Sequence, residues 1–280
     1  MNLTHPLEKY IRPSARRTTN CPGCGNGILA QSILRAIDEE GLDMDDFVFV
    51  SGIGCAAWIP SPFFYADILH TTHGRPIAFA TGVKLAAPER RIMVVSGDGD
   101  LLAIGGNHLI HAARRNIDMT VVCVNNYIYG MTGGQVAPTT PMGLKTMTSP
   151  YGNIENSFDL CGLVAGAGAT FVARWTVFHT LQITRTIKKA FHHKGFSFIE
   201  IVSQCPVQFG RKSGMGGTIP MFDYYKQNSV SVRKASGMTE EELAGKIIVG
   251  EMVKIEKPVL DEELAKLRKR LRERRSDAEN

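Results

Sequence analysis

The chain has 280 residues, 44% of them apolar, with 28 glycines and a formal net charge of +5, which is enough apolar material for one sizeable α/β domain or two small ones. The positive excess gathers at the ends, on Arg12, Arg16 and Arg17 and on Lys266, Arg268, Lys269, Arg270, Arg272, Arg274 and Arg275. It alternates there with glutamate and lacks aromatic neighbours, which favours a solvated face or subunit contact over nucleic acid. Residues 1–20 hold no apolar signal core, and no stretch reaches the roughly 18 uninterrupted apolar residues of a membrane span, so a cytoplasmic location is expected.

In chain order the pattern alternates. A glycine-rich loop at 21–27 leads to a predicted helix over 28–40 and an apolar run at 47–53. A Gly/Pro/aromatic loop near 58–65 and a small-residue helix over 74–87 follow. The run RIMVVSGDGD (91–100), a helix over 101–115 and the run DMTVVCVNN (118–126) form a βαβ unit whose crossover should be right-handed. Residues 130–153 carry five Gly and three Pro in a polar stretch too long for an ordinary connector, the mark of a functional or disordered loop. A helix near 155–167, a strand at 169–174, a helix over 176–193 and the strand FSFIEIVSQ (196–204) bring the alternation to an end near 210. The expected fold is α/β, a parallel sheet with helices on both faces. Residues 1–20 form a leader arm, 21–215 the α/β domain, and 216–280 an extension whose charged helix over 261–275 makes a subunit contact.

Gly97-Asp98-Gly99-Asp100 follows a buried strand and precedes a helix, at the carboxyl edge of a parallel sheet where ligands collect. The glycines permit close backbone approach to an anion, and the helix start offers free N–H groups. A carboxylate there repels phosphate unless a cation bridges the two, and Mg²⁺ is the hard ion that does so. Asn125-Asn126 ends the next strand. Asp98, the Asn126 amide oxygen and a carbonyl near Ile128 are therefore candidate Mg²⁺ ligands. Alone, Gly-Asp-Gly reads as readily as a tight turn capped by Asp98; the asparagine pair favours the metal.

Cys21 and Cys24 form a Cys-x-x-Cys pair in a Pro-Gly turn, a geometry that aims two thiolates at one centre. Cys55 and Cys205 follow strands and would complete a set of four. Such a set suits a [4Fe-4S] cluster or structural zinc, and spacing leaves both open. Cys123 and Cys161 read as small buried hydrophobes. His108 and His111 share a helix face and read as packing or interface residues.

Gly-Asp-Gly followed by Asn-Asn resembles the signature of thiamine-diphosphate enzymes. CPGCGNG (21–27), SGIGC (51–55), LHTTHGR (69–75), GDGDLLAIGGNHLIHAARRN (97–116), NNYIYGMTGGQVAPTTP (125–141) and SQCP (203–206) together resemble the β subunits of 2-oxoacid:ferredoxin oxidoreductases over residues 18–215. The resemblance implies thiamine diphosphate at Ile53, Gly54, Cys55, Ala56, His73, Gly99, Asp100, Gly130 and Met131. It implies Mg²⁺ on Asp98, Asn126 and Ile128, and one [4Fe-4S] cluster on Cys21, Cys24, Cys55 and Cys205.

The same resemblance implies oxidative decarboxylation of a 2-oxoacid with coenzyme A, electrons leaving through the cluster to ferredoxin, with reverse carboxylation open to the same centre. In that family the glutamate that activates the cofactor belongs to the α subunit. No catalytic residue is therefore assigned in this chain, and an αβ or (αβ)₂ assembly is expected. The loop GMTGGQVAPTTP is most similar to that of 2-oxoglutarate enzymes, with branched-chain 2-oxoacid and pyruvate enzymes as alternatives. It is expected to cover the site and to move through Gly133-Gly134. Arg75 and Lys145 are cations available to a distal carboxylate, though a partner subunit is an equal source. A non-redox thiamine decarboxylase would need the Mg²⁺ residues without the four cysteines, and a structural Cys₄ zinc module the reverse.

Overall fold

Strands that are apolar at nearly every position need cover on both faces, because successive side chains point to opposite sides. The computed structural model describes residues 5–15 and 18–279; Arg16 and Arg17, part of the basic leader, lie outside the described residues. The first half contains α1 (Asn26–Glu39), β1 (Phe47–Ser51), β2 (Asp67–His70), α2 (Pro76–Ala86), β3 (Arg91–Gly97), α3 (Gly106–Arg115) and β4 (Met119–Asn125). A small hairpin, β5 (Ile128–Tyr129) and β6 (Gln135–Val136), precedes α4 (Leu160–Gly166), β7 (Phe171–Thr176), α5 (Thr180–His192) and β8 (Phe196–Val202). The last part holds α6 (Arg211–Ser213), α7 (Thr218–Asn228), β9 (Ser229–Ser231), α8 (Val232–Ala235), α9 (Glu240–Leu243), β10 (Ile247–Lys254) and α10 (Leu260–Glu279).

The main sheet runs β2-β1-β3-β4-β8-β7-β10-β9. Its first six strands are parallel neighbours. Along β3, Met93 and Val95 join a core with Leu29 and Ile33 of α1 and Ile183 and Ile187 of α5. Ile92 and Val94 join the opposite core with Ile77 of α2, Leu109 of α3 and Val164 of α4. Helices thus cover both faces, as the apolar runs require. Cys123 and Cys161 are buried in the second core, where the Cys161 thiol also has a hydrogen-bond acceptor.

Three features differ from expectation. The sheet is mixed rather than wholly parallel and continues past residue 210, since β10 lies antiparallel to β7 and parallel to β9. A bulge between Glu251 and Val253 and a positive φ at Gly250 break the alternation that would have marked β10 in the sequence. The edge strand β2 is short and largely exposed, so it leaves little apolar pattern. The helix expected over 101–115 is split into a π-helical turn, Gly99–Ile104, and α3, a distortion common at functional sites.

The amino-terminal arm is tied down by Arg12, which donates to the carbonyl oxygens of Phe64 (2.9 Å) and Ala66 (2.6 Å). The far part of α10 is exposed. Among the described residues, no helix is long and apolar enough to cross a membrane.

Candidate active site

A cavity of about 260 Å³ opens at the carboxyl ends of β1, β3 and β4, where parallel sheets bind ligands. Its walls include Ile53, Gly54, Cys55, Ala56, His73, Gly99, Asp100, Gly130 and Met131, together with Asp98, Asn126 and Ile128. The residues singled out for the cofactor and for Mg²⁺ are therefore brought together in one place. Gly97, read from the sequence as a glycine that admits an anion, also lines it, as do Tyr129 and Thr132, which were missed; Tyr129 stood inside the flagged NNYIYG segment, next to the metal candidates. A larger cavity, about 920 Å³, lies between the arm, α1 and residues 58–64. Its walls are mainly apolar and include the turn that bears Cys21 and Cys24. Arg75 and Lys145 line neither cavity.

Asp98 is only 2% exposed at the end of β3. Burial pushes its carboxyl up to about 6, partly offset by hydrogen bonds from the Thr139 hydroxyl and neighbouring backbone N–H groups. Thr139 donates to Asp98 Oδ2. A buried carboxylate with no basic partner among the described residues requires a cation or a proton. One carboxylate, one amide oxygen and one main-chain carbonyl make a hard donor set that fits Mg²⁺.

Between Asn126 and Ile128, Tyr127 adopts φ +64, an outlier for a bulky side chain. Its N–H donates to Asn125 Oδ1 (3.2 Å), and its carbonyl accepts from the Thr140 hydroxyl (2.6 Å). The Ile128 N–H donates to Asn126 Oδ1 (3.2 Å). Thr139 and Thr140 thus anchor the far side of the glycine-rich loop to the metal candidates, while the Gly133 carbonyl accepts from Lys212 Nζ (2.5 Å).

Asp100 is part of the wall and braces what surrounds it. Its Oδ1 accepts from the N–H groups of Gly74 (2.7 Å) and Ile53 (3.2 Å), and its Oδ2 from the Ser96 hydroxyl (2.7 Å). His73 Nδ1 lies 2.6 Å from Asp100 Oδ1 but makes no hydrogen bond of acceptable angle there; the contact is one of proximity alone. Asp100 therefore fixes two loops of the cavity rim. At Gly99 a Cβ would stand 2.3 Å from Tyr129 Cε1, so only glycine lets this backbone and the ring coexist.

The four cysteines singled out converge beside the same cavity. The Cys24 N–H donates to the Cys21 carbonyl (3.0 Å), Gly25 N–H to Gln204 O (3.2 Å), and Gln204 Nε2 to Gly23 O (3.1 Å). Asn26 Nδ2 donates to Cys55 O (3.0 Å). Gly130 sits between the other two, since a Cβ there would be 3.6 Å from both Cys55 Sγ and Cys205 Sγ.

Burial pushes the Cys24 thiol up to about 12 and the Cys55 thiol up to about 11, with the neighbouring cysteines adding to each shift. Among the described residues, no three His, Cys, Asp or Glu close tightly enough for a single ion. Their mutual influence puts the four thiols in one neighbourhood, the arrangement that a shared metal centre needs. His108 and His111 lie on α3, outside the cavity.

The fold and site define a thiamine-diphosphate-binding domain, and residues 52–201 match the family described as thiamine pyrophosphate enzyme, C-terminal TPP binding domain. The chain is 55% identical to 2-oxoglutarate synthase subunit KorB of Methanocaldococcus jannaschii, over 96% of this chain and 99% of that protein. It is 52% identical to the subunit of the same name from Methanothermobacter marburgensis, over 91% and 90%. The solved 2-oxoglutarate:ferredoxin oxidoreductase from Magnetococcus marinus, with 2-oxoglutarate, coenzyme A and succinyl-CoA bound, matches at TM-score 0.84 and 35% identity, covering 97% of this chain and 92% of that one. The chain belongs to the 2-oxoacid:ferredoxin oxidoreductase family as a β subunit of the 2-oxoglutarate synthase type.

Proposed function

We propose that this chain holds thiamine diphosphate, Mg²⁺ and one [4Fe-4S] cluster in an enzyme that oxidatively decarboxylates 2-oxoglutarate with coenzyme A, giving succinyl-CoA and CO₂ and reducing ferredoxin. The observation that carries this is the single cavity in which Asp98, Asn126 and Ile128 meet the glycine-lined wall, with Cys55 shared between that wall and the four thiols. Thiamine diphosphate, when bound, supplies the electron sink on which the carboxylate of a 2-oxoacid is lost.

The chain's own residues do the rest. Asp98, Asn126 and the Ile128 carbonyl hold the cation that neutralises the diphosphate, and Gly99 gives the backbone room to approach it. Asp100 keeps the Ile53 and Gly74 turns in place. Cys55 lines the cavity and would also offer its thiol to the cluster beside Cys205.

Among the described residues that line the cavity there is no glutamate. As the family resemblance implies, the activating glutamate is supplied by the α subunit, in an αβ or (αβ)₂ assembly. Ile53 and Met131 stand 41% and 47% exposed at the rim, as suits apolar side chains awaiting a partner surface. Residues 21–215 carry the site, and α10 serves subunit contact.

The test is the purified αβ complex assayed with 2-oxoglutarate, pyruvate and branched-chain 2-oxoacids, coenzyme A and a viologen dye. The expected result is the highest kcat/KM with 2-oxoglutarate and about four iron atoms per β chain. Preference for another 2-oxoacid would overturn the substrate, and an iron-free, zinc-bearing complex would overturn the cluster.

A further inference from the structure

We infer that Glu200 is a positioning residue for the Mg²⁺ site, acting through Asn125 and the Tyr127 turn; the inference rests on Asp98, Asn126 and Ile128 being the Mg²⁺ ligands. Glu200 lies in the middle of β8, 2% exposed, in a strand that is otherwise mainly apolar. Charged side chains are almost never so buried without a partner. Arg174 stands directly across on β7 and donates Nε to Glu200 Oε2 (2.6 Å), while its Nη2 reaches Asp159 (2.5 Å). The Cys161 thiol donates to the same Oε2 (3.2 Å).

A charge pair serving the core alone would be complete with that oxygen. The other, Oε1, accepts from Asn125 Nδ2 (2.8 Å), at the end of β4. This bond fixes which way the Asn125 amide faces, because a flipped amide would set two acceptor oxygens against each other. Held so, Asn125 Oδ1 meets the Tyr127 N–H (3.2 Å), and Tyr127 keeps its left-handed φ of +64. Its neighbours on either side are Asn126 and Ile128. Glu200 does not line the cavity, so whatever it contributes to Mg²⁺ travels through this buried chain of bonds. Groups that orient metal ligands from behind typically set affinity by roughly 10- to 100-fold.

The experiment uses the anaerobic complex with its α subunit. Mg²⁺ is titrated at fixed thiamine diphosphate while cofactor binding is followed calorimetrically, with iron content and subunit assembly measured on the same samples. Asn125→Asp sets two carboxylates face to face and should weaken apparent Mg²⁺ affinity by roughly 10- to 100-fold, with iron unchanged. Adding Glu200→Gln reverses the bond: the glutamine amide donates to the carboxylate introduced on β4, which still accepts from the Tyr127 N–H. Affinity should then return to within about 3-fold of wild type.

Should the single aspartate variant fail to assemble, Asn125→Ser, which is small and uncharged, should show a loss of the same order. Wild-type affinity in Asn125→Asp or Asn125→Ser, or no recovery in the double variant, would overturn the role of Glu200. Absence of Mg²⁺-dependent binding in the wild-type complex would instead overturn the ligand assignment beneath it.

Discussion

The Asn26 side chain donates to the main-chain carbonyl of Cys55 at 3.0 Å, locking the turn that bears Cys21 and Cys24 to the loop that lines the cofactor cavity. Asn26 is buried in the first turn of α1, so Asn26→Ala would leave that carbonyl without its donor. The cost is about 1–2 kcal/mol, and it falls on the geometry of the metal centre. Release of iron to a chelator should speed up by roughly 5- to 30-fold, while thiamine diphosphate affinity changes far less. Equal loss of both would show that Asn26 acts on the whole fold.

Thr139 donates to Asp98, so one oxygen of the carboxylate is oriented by the loop that follows the hairpin. Thr139→Val keeps the shape and removes the donor. A hydrogen bond of about 1 kcal/mol net corresponds to roughly 5-fold weaker Mg²⁺-dependent cofactor binding. Thr139→Ser, which retains the hydroxyl, should bind nearly as wild type in the same titration.

Gly99→Ala would place a methyl 2.3 Å from the Tyr129 ring. The ring or the π-helical turn has to shift, at about 1–3 kcal/mol by analogy with overpacked cores, and thermal unfolding of the complex should register it. Tyr129→Ala in the same chain opens the space and should restore much of the lost stability. No rescue would mean that the backbone at Gly99, not the ring, sets the limit.

Much of this was legible in the sequence because each signal was local. Gly-Asp-Gly after RIMVVS and Asn-Asn after TVVCV each announce a strand end, and adjacent parallel strands bring such ends together. Cys205 was legible for the same reason, standing just past the last buried run. β10 was not, since Gly250 and the bulge erase its period of two. Thr139 was not, because no local pattern says which residue of a long loop folds back onto a strand end. Glu200 did leave a signal, a lone carboxylate inside FSFIEIV with Arg174 inside FVARWT. Nothing local, however, shows that the two face each other across β7 and β8 or that Asn125 completes the set.

Asp98 carries the central claim, that this chain holds the diphosphate end of the cofactor through Mg²⁺. Asp98→Asn keeps the side-chain shape and an oxygen for Thr139 but removes the charge. Without metal, the variant complex should be more stable than wild type by on the order of 1–3 kcal/mol at neutral pH, since an ionised carboxylate is no longer buried.

The most direct measurement is calorimetric titration of the anaerobic αβ complex with thiamine diphosphate at saturating Mg²⁺, wild type against Asp98→Asn. Wild type should bind tightly and lose that binding with EDTA, and the variant should bind at least about 100-fold more weakly with its iron content intact. Equal affinity in the two proteins would contradict the assignment of Asp98 and with it the cofactor site.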